Sequence, residues 1–244
     1  MQVVTSAGVL SQVWDRAVDV QPAPTATVIV ATGLVAFALV AAPASWRYTR
    51  HLVTIAHEGA HGVAALLSGR RLSGIRLHSD TSGLTLSHGR TTGLGMMATA
   101  AAGYVGPALL GLGAAYLLRT GHAVGLLWLA LVLLALLLVQ IRNWFGLYSV
   151  LVAGIGVFVV SWWGNSDVQS AVAYAGTWFL LLAAPRPVLE LQAMRRRGRA
   201  RDSDADVLAR LTRVPGLLWV AVFLFITLAA LTAGASWLIA TKAR

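Results

Sequence analysis

Uninterrupted apolar runs constrain this chain more than any other feature. Ala123 to Val139 contains no charged residue, and neither does Gly216 to Ala240. In hydrocarbon, every backbone N–H and C=O must find a partner within the protein, which leaves helices or closed barrels. Runs of about 20 residues match the bilayer core as helices. Candidate spans fall near 26–45, 50–68, 95–118, 123–141, 143–163, 168–187 and 214–240. The 123–163 block is too long for one helix and breaks at Arg142-Asn143. The expected fold is an all-α polytopic membrane protein with six or seven transmembrane helices. Hydrophobic residues at 57% and charged residues at 11% agree with that class. Residues 1–25 lack the basic start of a signal peptide and carry Asp15 and Asp19. They are expected to form an N-terminal surface segment, with 26–244 a single transmembrane domain.

The formal charge of +10 does not point to nucleic acid. Its basic residues lie mostly in loops between apolar runs, the pattern that orients membrane proteins. Arg195, Arg196, Arg197, Arg199 and Arg201 form the densest cluster, and Arg70, Arg71, Arg76 and Arg90 lie in an earlier loop. Four expected spans separate the two loops, so both fit the cytoplasmic side, close to anionic lipid headgroups. Two spans precede the first loop, which would place the N-terminus on the same side. Abundant Ala, Leu and Val, with Arg preferred over Lys, suggest a bacterial plasma membrane.

One apolar run carries His57-Glu58-Gly59-Ala60-His61. On a helix the two His lie one turn apart on one face, where both imidazoles can reach a single Zn2+. Glu58 then stands beside them as a general base for a water, without being a ligand. Random placement of six His and two Glu gives this pattern in about one of 1000 such chains. The plainer alternative is a buried Glu neutralised by its His neighbours. Ionisable groups at membrane depth are costly and usually functional, which favours the metal reading.

Two His do not complete a catalytic zinc site; a third protein ligand is expected. The chain has no cysteine, so only carboxylates or further His remain. Glu190 ends an apolar run and is placed first, although Arg186 or Arg195 could simply pair with it. Asp204 follows, since the Ser203-Asp204-Ala205-Asp206 turn could fold back under the bundle; helix capping is its plainer role. Asp167, between spans, is the weakest of the three.

Between spans the periodicity shifts. Leu72, Ile75, Leu77, Leu84 and Leu86 recur near two-residue spacing around Asp80-Thr81-Ser82-Gly83, which reads as a β-hairpin. Its free edge could receive an unwound peptide by strand addition; a covering loop is the equal alternative. His78 and His88 on it read as surface residues. The run from Ala101 to Pro107, with Gly103, Gly106 and later Gly111 and Gly113, reads as a close helix-packing face. Asn143 could bind a substrate carbonyl or oxyanion, but more simply caps the following helix.

Taken together, the motif in its apolar run, the hairpin, Gly103-Tyr104-Val105-Gly106-Pro107, Arg142-Asn143 and Ser203-Asp204-Ala205 with Leu208 and Pro215 resemble the site-2 protease superfamily. Within it they look most like the peptidase M50B-like branch. The likeness covers about residues 50–220. It implies a zinc metalloprotease that cleaves membrane-spanning protein substrates, with His57 and His61 as ligands and Glu58 as base. Two features depart from the superfamily pattern. Gly59 and Ala60 occupy the motif's third and fourth positions, where the superfamily usually has Gly in the fourth. The Asn-Pro…Leu-Asp-Gly signature is absent, with Pro187-Val188-Leu189-Glu190 a loose echo. The competing expectation is an inactive membrane scaffold, or a substrate-sequestering pseudoprotease of the same fold.

Overall fold

The chain bends at a proline before it reaches the motif. In the computed structural model, which describes residues 6–199 and 202–240, helix α1 (Ser6–Val18) leads to α2 (Ala26–Ala41) and α3 (Pro43–Leu67). The last two meet at 101°. Ala42 between them is extended, with φ −75° and ψ 127°. A residue before proline avoids the helical region, and proline itself suits the first helical position. The stretches expected as separate spans near 26–45 and 50–68 form a sharply bent helix pair, broken at Ala42-Pro43.

Strands β1 (Arg71–Leu77) and β2 (Gly83–His88) follow, then α4 (Leu94–Arg119), α5 (Ala123–Gln140), α6 (Trp144–Trp163), α7 (Ser166–Ala183), α8 (Pro185–Arg196), α9 (Asp204–Thr212) and α10 (Gly216–Ala240). Helix α7 runs on into α8 as one long apolar segment. Pro185 does not end it, because Ala184 keeps helical angles and Pro185 falls in the first turn of α8, where a missing N–H is tolerated. Among the described residues, five helices are long and apolar enough to cross a membrane, or six when the bent pair counts as one span. With the small two-stranded sheet, this is the polytopic α-helical membrane fold that the apolar runs imply.

Helix α4 is central, packed against α3, α7, α9 and α10. Tyr174, Leu181, Leu118 and Leu238 fill the core between α4, α7 and α10, each no more than 2% exposed. A second cluster, Val188, Leu191, Ala205, Leu208 and Phe223, ties α8, α9 and α10 onto α4. This cluster seats the short helix α9 beneath the bundle, and with it Asp204. Helices α5 and α6 form a peripheral pair that leaves most of its apolar surface outward, as lipid contact requires.

The strands pair antiparallel, Ile75 opposite Thr85 and Leu77 opposite Gly83. Asp80 builds the turn, accepting from the Ser82 amide at 3.0 Å and the Ser82 hydroxyl at 2.6 Å. Those bonds hold its carboxyl below the ordinary value. The outer edge of β1 is covered, since Arg142 N donates to Ile75 O at 2.9 Å. Among the described residues, no strand pairs with the outer edge of β2.

The turn between α4 and α5 marks the opposite end of the bundle. There Gln21 N donates to Gly121 O at 2.8 Å, and Val124 N donates to Gln21 Oε1 at 3.1 Å. The segment leading into α2 thus lies at the far end from the hairpin.

Candidate metal centre

The site is built on α3. His57 and His61 are four residues apart, and their Nε2 atoms lie 3.1 Å from each other. Oδ2 of Asp204 lies 3.4 Å from Nε2 of His57 and 3.3 Å from Nε2 of His61. Donors each about 2.1 Å from one zinc in a tetrahedral array stand roughly 3.4 Å apart. The three atoms therefore match the spacing of one face of such a site. No other group of three His, Asp or Glu among the described residues comes together in this way.

Each member is held from behind. Nδ1 of His61 lies 2.7 Å from the Thr99 carbonyl of α4. A carbonyl only accepts, so Nδ1 carries the proton and Nε2 presents its lone pair to the cluster. The His57 ring meets Tyr104 edge-on at 4.9 Å, and Tyr104 stacks on buried Phe223 at 5.2 Å. Gly103 of α4 lies directly against both imidazoles, and a Cβ there would overlap His61 Nε2. The small residues of α4 thus serve packing, as expected, and at Gly103 also make room for the cluster.

Asp204 opens α9, next to the cap residue Ser203. The capping work falls to its neighbour: Asp206 Oδ2 accepts from the Ser203 amide at 3.2 Å, and Arg195 pairs with Asp206. Asp204 is left to face the histidines. The sequence carried a signal for this division of labour, since Ser203 and Asp206 have the spacing of a capping box.

Glu190 does not join the group. It accepts from Trp46 Nε1 at 2.7 Å and from Arg186 at 3.3 Å, with Arg50 3.3 Å away. The acid at the end of this apolar run is there to clamp the start of α3 to α8. Asp167 lies in the first turn of α7, where the helix dipole favours an acid, and is also outside the group. Asn143 stands at the cap position of α6, but its side chain makes no cap bond. Its amide pairs instead with β1, accepting from Leu77 N at 3.1 Å and donating to Leu77 O at 2.6 Å. It acts as a one-residue strand partner that docks the hairpin. His88 bonds Ser73 on the exposed hairpin surface, and His78 bonds Ser82.

Glu58 is 5% exposed, beside the cluster and under β2. Its Oε2 lies 2.7 Å from the hydroxyl of Thr85. Gly83 passes so close that a Cβ there would stand 2.5 Å from Oε1. Thr85 went unnoticed in the sequence. The trace it left is that Gly83, Thr85 and Ser87, all small or polar, share the inward face of β2.

The chain is thus a polytopic helical membrane protein with a His–His–Asp group that could hold a metal ion and a buried Glu beside it. The family model described as peptidase M50B-like matches residues 30–234. The chain belongs to that family, a site-2 protease family. No curated protein and no solved structure matches it.

Proposed function

We propose that this protein is an intramembrane zinc metalloprotease acting on membrane-spanning protein substrates. One observation carries the reading: Asp204 Oδ2 faces both motif imidazoles at 3.3 and 3.4 Å. His57, His61 and Asp204 would hold the zinc. Bound there, it would supply a Lewis acid that polarises a scissile carbonyl and acidifies water. Glu58 takes the proton from the attacking water and passes it to the leaving amine. The low exposure of Glu58 keeps bulk water from competing for that proton.

The peptide must be extended to react, because helical peptide bonds are shielded by their own hydrogen bonds. The unpaired edge of β2 offers a place for it by strand addition. The alternative of an inactive scaffold rested on a missing third ligand, and it is not favoured with Asp204 Oδ2 standing beside both His as a candidate for that role.

Orientation follows from charge. The hairpin end of the bundle carries Arg70, Arg71, Arg76, Arg90, Arg142 and Arg195 to Arg197, whereas the opposite end carries Arg16 and Arg119 beside Asp15, Asp19 and Asp167. The basic end faces the cytoplasm by the positive-inside rule. With α2 and α3 counted as one bent crossing, the segment near Gln21 would lie on the other side; counted as two spans, it would lie in the cytoplasm.

Replacing Glu58 with Gln tests the mechanism. Zinc stays bound and cleavage of a membrane-embedded substrate falls at least about 100-fold. Retained cleavage would sink the assignment.

A further inference from the structure

A buried carboxylate needs hydrogen bonds, and a general base needs a fixed direction. Among the described residues, the hydrogen bond given to the Glu58 carboxylate comes from Thr85, at 2.7 Å. The neighbouring hairpin positions are fitted to it. Gly83 leaves the space that Oε1 and Cγ of Glu58 occupy. Ser87, two residues further along the same face, accepts from Arg70 Nε at 3.1 Å and anchors the strand to the end of α3. Opposite, Asn143 fixes β1 through Leu77, whose strand partner is Gly83. The hairpin is thus locked in register on both sides of Thr85.

We propose that Thr85 is a positioning residue for Glu58: its hydroxyl, carried on β2, aims the carboxylate of the general base. This rests on the protease reading given above. The hydroxyl oxygen also lies 3.1 Å from the Glu58 backbone carbonyl. A hydroxyl accepts as well as donates. It can donate to the carboxylate, or turn its proton to the carbonyl and accept from the carboxylic acid, with no heavy atom moving. An apolar side chain of the same shape would keep the packing and lose this function. Substrate that docks along β2 would also bear on the strand that aims the base, which couples docking to chemistry.

The test uses full-length, zinc-loaded protein in detergent or liposomes, with a membrane-embedded peptide substrate. Thr85→Val is expected to keep zinc content and KM within about twofold and to lower kcat roughly 10- to 100-fold. Thr85→Ser is expected to restore kcat to within a few-fold of wild type. Unchanged kcat in Thr85→Val, or a Ser variant as slow as the Val variant, would overturn the proposal. A second readout does not need activity. In metal-free protein, Thr85→Val should lower Tm, and should lower it clearly less when Glu58 is already Ala. Equal shifts in both backgrounds would overturn the contact. If wild-type protein neither binds zinc nor cleaves, the protease reading fails, and the Tm cycle still decides whether Thr85 holds Glu58.

Discussion

Ala60 and Gly106 face one another so closely that a Cβ on Gly106 would overlap the Ala60 methyl. Ala60 sits in the fourth position of the motif, where the superfamily usually places Gly. Gly106 of α4 leaves the room that the Ala60 methyl occupies. The two helices keep their close approach, and with it the contact of Gly103 with both imidazoles.

That contact gives a reciprocal test. Gly106→Ala should overpack the interface and cost about 1–3 kcal/mol. Adding Ala60→Gly should recover most of the loss. Thermal unfolding in detergent, read with zinc content, checks both variants. If Ala60→Gly fails to rescue, the overlap is not what Gly106 relieves.

The Asn143 amide bridges both backbone groups of Leu77. Asn143→Ala leaves the Leu77 N–H without its partner, at a cost of about 1–3 kcal/mol. Faster amide exchange in β1 and β2 is the expected sign. A fall in activity with hairpin exchange unchanged would instead assign the amide to substrate.

How much of this was legible in sequence depends on range. The bundle was, because apolar runs of bilayer length leave the backbone little choice but helix. The hairpin was, because alternating Leu and Ile flank a turn built on Asp80 and Ser82. His57, Glu58 and His61 were, because a four-residue spacing is local geometry. The partner of the two His was not. Glu190 ends an apolar segment and Asp204 opens a short helix, both near arginines, and only the packing of α9 against α4 separates them. The bonds of Asn143 were hidden for the same reason: a cap bond is local, while Leu77 lies on a strand far earlier in the chain. Pro43 was visible, and its bend could have been anticipated from the residue before it.

Sidedness can be read directly, since the chain has no cysteine of its own. Thr91→Cys, near the hairpin, should react with a membrane-impermeant thiol reagent only from the cytoplasmic side. Ser166→Cys, at the start of α7, should react only from the opposite side. The reverse pattern, or labelling of both from one side, would contradict the orientation.

Gly103→Ala should cost zinc affinity more than stability, because the added methyl meets the imidazoles and not the core. Zinc titration against a chelator, beside thermal unfolding of the metal-free protein, separates the two effects. Unchanged affinity would show that the rings do not need this space.

The most direct measurement is zinc content by elemental analysis of purified protein, for wild type, Asp204→Ala and Glu190→Ala. The expected result is about one zinc per chain in wild type, lost in Asp204→Ala and retained in Glu190→Ala. Zinc retained without Asp204, or absent from wild type after metal is supplied, would contradict the three-ligand site on which this account rests.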